Sequence, residues 1–168
     1  MKEIGIFYGK NTVRSAEVAK KIQKAFGEKV ADIIAVEEAW SSEFEKYKYI
    51  VAGASTWFDG ELPDYWDELI PEIKTLNLRN KKVAVFGLGN HIEYPDNFVD
   101  SIGILADVFK SAGAELTGFT STAGFTYNKS LAEANGMFAG LALDLDNNAD
   151  KADKQINDWV FKLKTEFK

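Results

Sequence analysis

Cysteine is absent from this 168-residue chain, and histidine occurs once. Without thiols there is no disulfide scaffold, thiolate zinc site, cysteine-ligated iron–sulfur cluster or thiol nucleophile. One imidazole cannot build a His-rich metal site. No apolar run approaches the ~18 residues of a membrane span, and the stretch Glu3–Tyr8 opens without a signal-peptide pattern. Positive charge is in deficit, with 20 Lys and Arg against 26 Asp and Glu and a net charge of −6. That balance argues against nucleic acid, whose phosphates are bound by neutralising cations. What is present is ordinary for a globular protein: 46% hydrophobic and 27% charged residues. A chain of this length suits one domain that buries roughly 70% of its unfolded surface. The composition therefore predicts one acidic, cytoplasmic domain spanning 1–168.

Short runs rich in Val and Ile alternate with longer segments of helical period. Strands are expected at Glu3–Tyr8, Val30–Ala35, Tyr49–Ala54, Lys82–Phe86 and Glu115–Phe119, with a late sixth piece at Phe138–Leu143. Their nearly continuous apolar character suits strands buried on both faces of a parallel sheet. Between them, Val18, Ala19, Ile22, Ala25 and Phe26 mark one amphipathic helix, and Ile156, Trp159, Val160, Leu163 and Phe167 mark another. Val99, Ile102, Ala106 and Phe109 do the same in mid-chain. Such alternation implies βαβ units and an α/β fold with helices on both faces. Residues Thr120–Asn135 have no strong period and read as an insertion between the last two strand pieces.

In an open α/β sheet, ligands bind beyond the carboxyl ends of the strands, so the loops after the strands carry the functional argument. The first, Gly9–Ser15, offers Asn11, Thr12 and Ser15, the cations Lys10 and Arg14, and the free amides of a helix start. It is an anion cradle by composition, although neither GxxxxGK[ST] nor GxGxxG is present; a plain helix cap with incidental basic residues has the same composition. The second, Ser55–Pro63, places Trp57 and Phe58 beside Asp59 and Gly60. This is either a stacking platform for a planar ligand or a Trp folded onto the sheet edge. The third, Gly87–Phe98, has two glycines that permit close backbone approach and a further aromatic plane in Tyr94. Together they suggest a phosphorylated planar heterocycle.

Four segments then carry a resemblance. They are Phe7-Tyr8-Gly9-x-Asn11-Thr12, Ser55-Thr56-Trp57-x-x-Gly60-Glu61-Leu62-Pro63-x-x-Trp66, Phe86-Gly87-Leu88-Gly89 followed by Tyr94-Pro95-Asp96-Asn97-Phe98, and Gly140-Leu141-Ala142-Leu143-Asp144-x-Asp146-Asn147. In this order and spacing the chain resembles a long-chain flavodoxin from end to end. The resemblance implies a doubly wound, five-stranded parallel sheet in the order 2-1-3-4-5, with its last strand split by the insertion. It also implies a low-potential one-electron carrier that uses non-covalent FMN, moves between semiquinone and hydroquinone, and does no chemistry beyond electron transfer. By position, Asn11, Thr12, Arg14, Ser15 and the loop amides would hold the phosphate, joined by Thr56 and flanked by Ser55. Trp57 would lie on the inner face of the ring and Tyr94 on the outer. The Phe58-Asp59-Gly60 backbone would reorient as the flavin is reduced. Backbone groups around Gly89, Asn90 and Asn97 would meet the ring's polar edge, with Leu88 and Phe98 also among the cofactor-binding residues, and Asp146 would sit near the ribityl or ribose side.

The chain departs from the family pattern in placing Lys10 where Thr or Ser is usual, Val13 where Gly is usual, and Asn90-His91 where Asp-Gln is usual. The Lys10 ammonium is a candidate replacement for the lost hydroxyl, and Val13 must either take ordinary helical angles or carry strain. Asn90 and His91 both reduce negative charge and so favour full reduction, with His91 either sensing pH or solvated and silent.

Asp59, Glu61, Asp64, Asp67, Glu93, Asp96, Asp100, Asp144 and Asp146 lie in or beside these loops. One such charge ~10 Å from the ring at an effective dielectric of ~20 disfavours an anionic flavin by ~1.7 kcal/mol, or ~70 mV per electron. Acids around an exposed redox centre imply partners with basic docking faces, and the resemblance names them as ferredoxin–NADP-type or flavodoxin–NADP-type reductases and acceptor oxidoreductases, met by a monomer. The rival reading is an FMN-dependent two-electron quinone or nitro reductase, against which the Trp57/Tyr94 pair fills both ring faces. A phosphoacceptor receiver domain needs an Asp at the end of the third strand, where this chain has none. A fold that has lost its flavin and serves as an interaction module is the last alternative.

Overall fold

A computed structural model describes residues 1–168, the side chains of Phe58 and Asp64 apart. Strands and helices alternate as β1 (Ile4–Tyr8), α1 (Val13–Phe26), β2 (Ala31–Ala35), β3 (Tyr49–Ser55), α2 (Asp64–Ile73), β4 (Lys82–Leu88) and α3 (Asp100–Ser111). Then follow β5 (Glu115–Thr117), three two-residue strands β6 (Thr120–Ser121), β7 (Glu133–Ala134) and β8 (Met137–Phe138), β9 (Leu141–Leu143) and α4 (Ala152–Glu166). The main sheet is parallel throughout, in the order β2-β1-β3-β4-β5, with β9 also on β4.

The apolar runs are continuous because both faces of the sheet are covered. Ile4 and Ile6 pack with Val51 and Phe86 under α1 and α4, where Val18, Ile22, Ile156 and Trp159 meet them. Phe7, one residue on and therefore on the other face, packs with Ile50, Val85, Trp66 of α2 and Phe109 of α3. At roughly 1.5–3 kcal/mol per fully buried large apolar side chain, these two layers fix which side of the sheet each helix takes.

The fifth strand position is occupied in two halves. β5 lies opposite Lys82–Ala84 and β9 opposite Phe86–Leu88. The chain leaves after Thr117 because Gly118 adopts φ +77° and its carbonyl and amide are taken by Trp159 Nε1 and the Glu166 carboxylate, at 2.8 Å each. Phe138–Leu143 is therefore not one strand, as its apolar run suggests. Met137 and Phe138 turn into a small antiparallel sheet with β6 and β7, and only Leu141–Leu143 rejoins β4. The insertion expected at Thr120–Asn135 thus contains strands of its own, too short for any periodicity to betray.

The order of the strands reverses between β1, whose chain next proceeds to β2 on one side, and β3 on the other. The carboxyl ends of these two strands diverge into separate loops, and a crevice opens between them. Among the described residues no helix is long and apolar enough to cross a membrane.

Candidate cofactor site

The first loop ends in a helix that is left open to an anion. Thr12 is the N-cap of α1 but makes no side-chain cap, and the first turn carries no acid. The amides of Val13, Arg14 and Ser15 therefore have no intrahelical acceptor, at the positive end of the helix dipole. Hydroxyls gather beneath them. Buried Ser15 Oγ is 3.0 Å from Ser55 Oγ at the end of β3, and Thr56 Oγ1 donates to Ser101 Oγ at 3.0 Å while accepting its amide at 3.1 Å. Thr12 Oγ1 is tied instead to the Tyr65 hydroxyl at 2.8 Å. Arg14 reaches across the opening to Asp146, at 2.9 Å. Val13 is exposed and absent from the residues with positive φ, so it enters the helix without backbone strain.

Lys10 points elsewhere. Its ammonium, on the exposed surface, pairs with Glu38, a contact that raises its pKa. The amides of Lys10 and Asn11 both donate to the Glu37 carboxylate, at 3.0 and 3.1 Å. Two of the loop's donors are thus satisfied by the chain itself, through an acid after β2 that nothing in the loop's own sequence announces.

The second loop is a tight turn closed by Trp57 and Glu61, with the Trp57 amide on the Glu61 carbonyl at 2.8 Å and the Gly60 amide on the Trp57 carbonyl at 3.0 Å. Asp59 and Gly60 take φ of +54° and +83°, a conformation that is cheap only for the glycine. A Cβ on Gly60 would lie 2.6 Å from Asp100 Oδ2. Asp100 itself is buried, and burial raises its pKa against the opposing pull of the Leu131 amide. The side chain of Phe58 lies outside the described residues.

The third loop is braced from three directions. Asn90 Oδ1 accepts the amides of Ile92 and Glu93 and the Asn147 side-chain amide, at 3.1, 2.8 and 2.8 Å. The insertion holds the far end of the loop: Asn128 and Lys129 donate to the Pro95 carbonyl at 2.7 and 3.0 Å, and Phe98 donates to Lys129 at 3.2 Å. Phe98, only 1% exposed, belongs to an aromatic cluster with Phe125, Tyr127 and Phe138. His91 is not a solvated loop residue. It is buried, edge-on to Phe98 and Phe125, with Nδ1 2.5 Å from the buried Asp144 carboxylate.

Between the second and third loops lies a cavity of about 350 Å³ walled by Trp57, Tyr94 and Phe98, with Gly89, Asn90 and Asn97 at its edge. A smaller one of about 160 Å³ adjoins it through Thr56, Gly89, Asn90 and Tyr94, and runs to Arg14 and Asp146. A largely apolar slot thus opens into a more polar one that reaches Arg14 in the first turn of α1. Trp57 and Tyr94 keep 43% and 47% of their surface exposed, the half-covered state of aromatics that still have a free face. Among the expected residues, Arg14, Ser55, Thr56, Trp57, Leu88, Gly89, Asn90, Tyr94, Asn97, Phe98 and Asp146 all line these two cavities. Lys10, Asn11, Thr12, Val13, Ser15, Asp59 and Gly60 do not line either one.

The family model for flavodoxins matches residues 6–159. The chain belongs to the flavodoxin family. It is 42% identical to a flavodoxin of Nostoc sp. strain PCC 7120 over 166 residues, covering 99% of this chain and 98% of the relative. It is 38% identical to that of Synechococcus elongatus, with 99% of each covered. Among solved structures, that of Fusobacterium nucleatum flavodoxin bound to flavin mononucleotide superposes with a TM-score of 0.94 at 30% identity, covering 100% of both chains. The flavodoxin sheet order and the split fifth strand are both present in this chain.

Two residues at or behind the paired cavities escape a reading of the sequence. Leu145 lines the smaller cavity from between the two quoted acids, and Ser101 holds Thr56 from the first turn of α3. The proximity of Leu145 to Asp146 was a usable signal; for Ser101 there was none, because only the packing of α3 on β3 brings it near.

Proposed function

We propose that this flavodoxin carries electrons one at a time on a non-covalently bound FMN seated in the paired cavities. As a member of its family it is an electron-transfer protein and not an enzyme. The observation that carries the reading is the continuity of an aromatic-walled slot with a more polar cavity that reaches Arg14, in the uncapped first turn of α1. That arrangement fits a planar ring at one end and a dianion at the other. A Cβ on Gly89 would meet Phe98, the Val99 side chain and the Val99 amide at 3.2 Å, so the packing behind the slot's edge leaves little room for a side chain there.

In this reading Trp57 and Tyr94 cover the two ring faces and exclude water from them. Gly89, Asn90 and Asn97 present polar groups to the ring edge. The amides of Val13 to Ser15 and the hydroxyls of Ser15, Ser55 and Thr56 take the phosphate, with Asn11 and Thr12 shaping the loop. Arg14 and Asp146 flank the channel between. The turn through Phe58, Asp59 and Gly60, with its two positive φ angles, would be the backbone that changes orientation between redox states of a bound FMN. When bound, FMN supplies the one-electron chemistry; the chain's own part is to bind it, dry it and hold negative charge near it. Exposed Asp59, Glu61, Asp67, Glu93 and Asp96 lie in or beside the second and third loops. They suit reductases and acceptor oxidoreductases with basic docking faces, met at rates that fall with salt. Asp100 and Asp144 are buried and serve as braces for the loops.

Binding of FMN and of riboflavin separates the two ends of the site. Charge-assisted hydrogen bonds contribute about 1.5–3 kcal/mol each, so riboflavin, which lacks the phosphate, should bind at least ~100-fold more weakly than FMN when flavin fluorescence quenching is titrated. Equal affinities would mean that the helix end takes no phosphate.

A further inference from the structure

The one histidine of the chain sits where the flavodoxin site meets the core. Its Nδ1 is 2.5 Å from Asp144 Oδ2, and its own amide donates to the same oxygen at 2.9 Å. Asp144 also accepts the amides of Asp146 and Asn147, at 3.0 and 2.9 Å, and the Asn147 side-chain amide at 2.8 Å. The two side chains retain 7% and 0% exposure. The residue on one side of His91 is Asn90, which lines the ring slot, and the ring it packs against is Phe98, which walls it. A buried ionisable pair therefore lies one residue behind the polar edge of the proposed cofactor.

We propose that His91 and Asp144 form a proton-linked pair that couples the charge behind the ring edge to pH and to the redox state of the bound flavin. With Nδ1 committed to Asp144, the titrating atom is Nε2. Protonated, the pair is neutral; deprotonated, it carries one buried negative charge. Negative charge added at a bound flavin by its redox partner would be answered by one proton from solvent binding Nε2, while the Nδ1–H would go on donating to Asp144 and the pair's charge would return to zero. The surroundings leave His91 as the member free to respond. Asp144 is saturated with donors, Asp146 is paired with Arg14 of α1, and Glu93 on the same loop accepts from Asn90. Asp100 of α3 accepts the Leu131 amide, and the two aromatic rings packed edge-on to the imidazole, Phe98 and Phe125, carry no charge. His91 is thus a positioning and charge-setting residue that acts through Asn90 and the field, without touching the ring.

This inference rests on the FMN reading above, and linkage makes it testable in both directions, because whatever His91 does to reduction, reduction does to His91. Since the chain has a single histidine, its imidazole resonances are unambiguous, and the Cε1–H shift can be followed against pH in apo-protein, oxidised holoprotein and fully reduced holoprotein. A unit charge ~10 Å away at an effective dielectric of ~20 corresponds to about a tenfold change in proton affinity. The imidazole should therefore titrate about one pH unit higher in the reduced holoprotein than in the oxidised, and the second reduction potential should vary less with pH in His91→Gln than in the wild type. Identical titration midpoints in the two redox states, no titration between pH 5 and 9, or equal potential–pH slopes for wild type and variant would each overturn it. FMN binding is established first by fluorescence quenching; failure at that step overturns the cofactor reading and this inference with it, whereas binding with an indifferent imidazole overturns this inference alone.

Discussion

Replacing Gly140 with alanine should destabilise the protein by about 3 kcal/mol, at the upper end of what overpacking costs. A Cβ there would stand 2.1 Å from the carbonyl oxygen of Val85 and 2.8 Å from its carbon. Val85 is fully buried in the middle of β4, between β3 and the fifth strand position. Its backbone cannot retreat without disturbing its own pairing with Ala52 of β3 and those of its neighbours Ala84 and Phe86 with β5 and β9, so the strain is not relieved by a rotamer change. Gly140 is also the joint at which β8 leaves for the insertion and β9 returns to the sheet, and its carbonyl accepts the Thr120 hydroxyl at 2.5 Å. For a chain of this size, ~3 kcal/mol corresponds to a fall in Tm of roughly 6–12 °C. Thermal unfolding of the apo-protein followed by far-ultraviolet dichroism reads this directly, and an unchanged Tm would mean that the close approach is not obligatory.

Asp144→Asn should be nearly as damaging at neutral pH, and the damage should fade in acid. The carboxylate accepts five hydrogen bonds, from the amides of His91, Asp146 and Asn147, the Asn147 side chain and the His91 ring. An amide accepts at one oxygen only and turns its own N–H groups toward the remaining donors, a loss of about 2–4 kcal/mol for a buried charged acceptor. Burial on its own would raise the Asp144 pKa, but the Asn147 side chain, the backbone amides and the His91 ring outweigh it and hold the group below its ordinary value of 3.8. A carboxyl with a depressed pKa stabilises the fold above its unfolded pKa, and that contribution is lost as pH falls through the folded one. Urea midpoints of wild type and Asp144→Asn should thus differ most at pH 6–7 and converge below pH 4. A gap that is constant with pH would show that the asparagine fails for reasons of shape.

Much of the fold was legible because the sheet is covered on both faces, which makes its strands continuous apolar runs, and because α1 and α4 each carry a full apolar stripe. The insertion was legible only as an interruption. β6, β7 and β8 have two residues each, and two residues cannot display an alternation. Their pairing is set by contacts such as Phe98 with Phe125 and Phe138, from parts of the chain far apart in sequence. At the site, the loops that line the cavities could be read from their position after the strands. Their bracing could not. Glu37 reaching the Lys10 and Asn11 amides, Ser101 under Thr56, and Asp144 under His91 are contacts over 26 or more residues, and each depends on which strand ends the sheet order places side by side. The single histidine shows the difference best: its loop and its charge could be read in sequence, but its burial depends on a partner 53 residues away.

The account stands or falls on one-electron chemistry. Stepwise anaerobic reduction of the FMN-loaded protein, followed by visible absorbance, tests it directly. The proposed site, with Trp57 and Tyr94 over the ring faces, the Asp59–Gly60 turn at the ring and acids in the neighbouring loops, predicts that a one-electron-reduced species with long-wavelength absorbance accumulates near half reduction. Direct bleaching to the fully reduced form, with no such species at any point, would contradict it and favour a two-electron reductase.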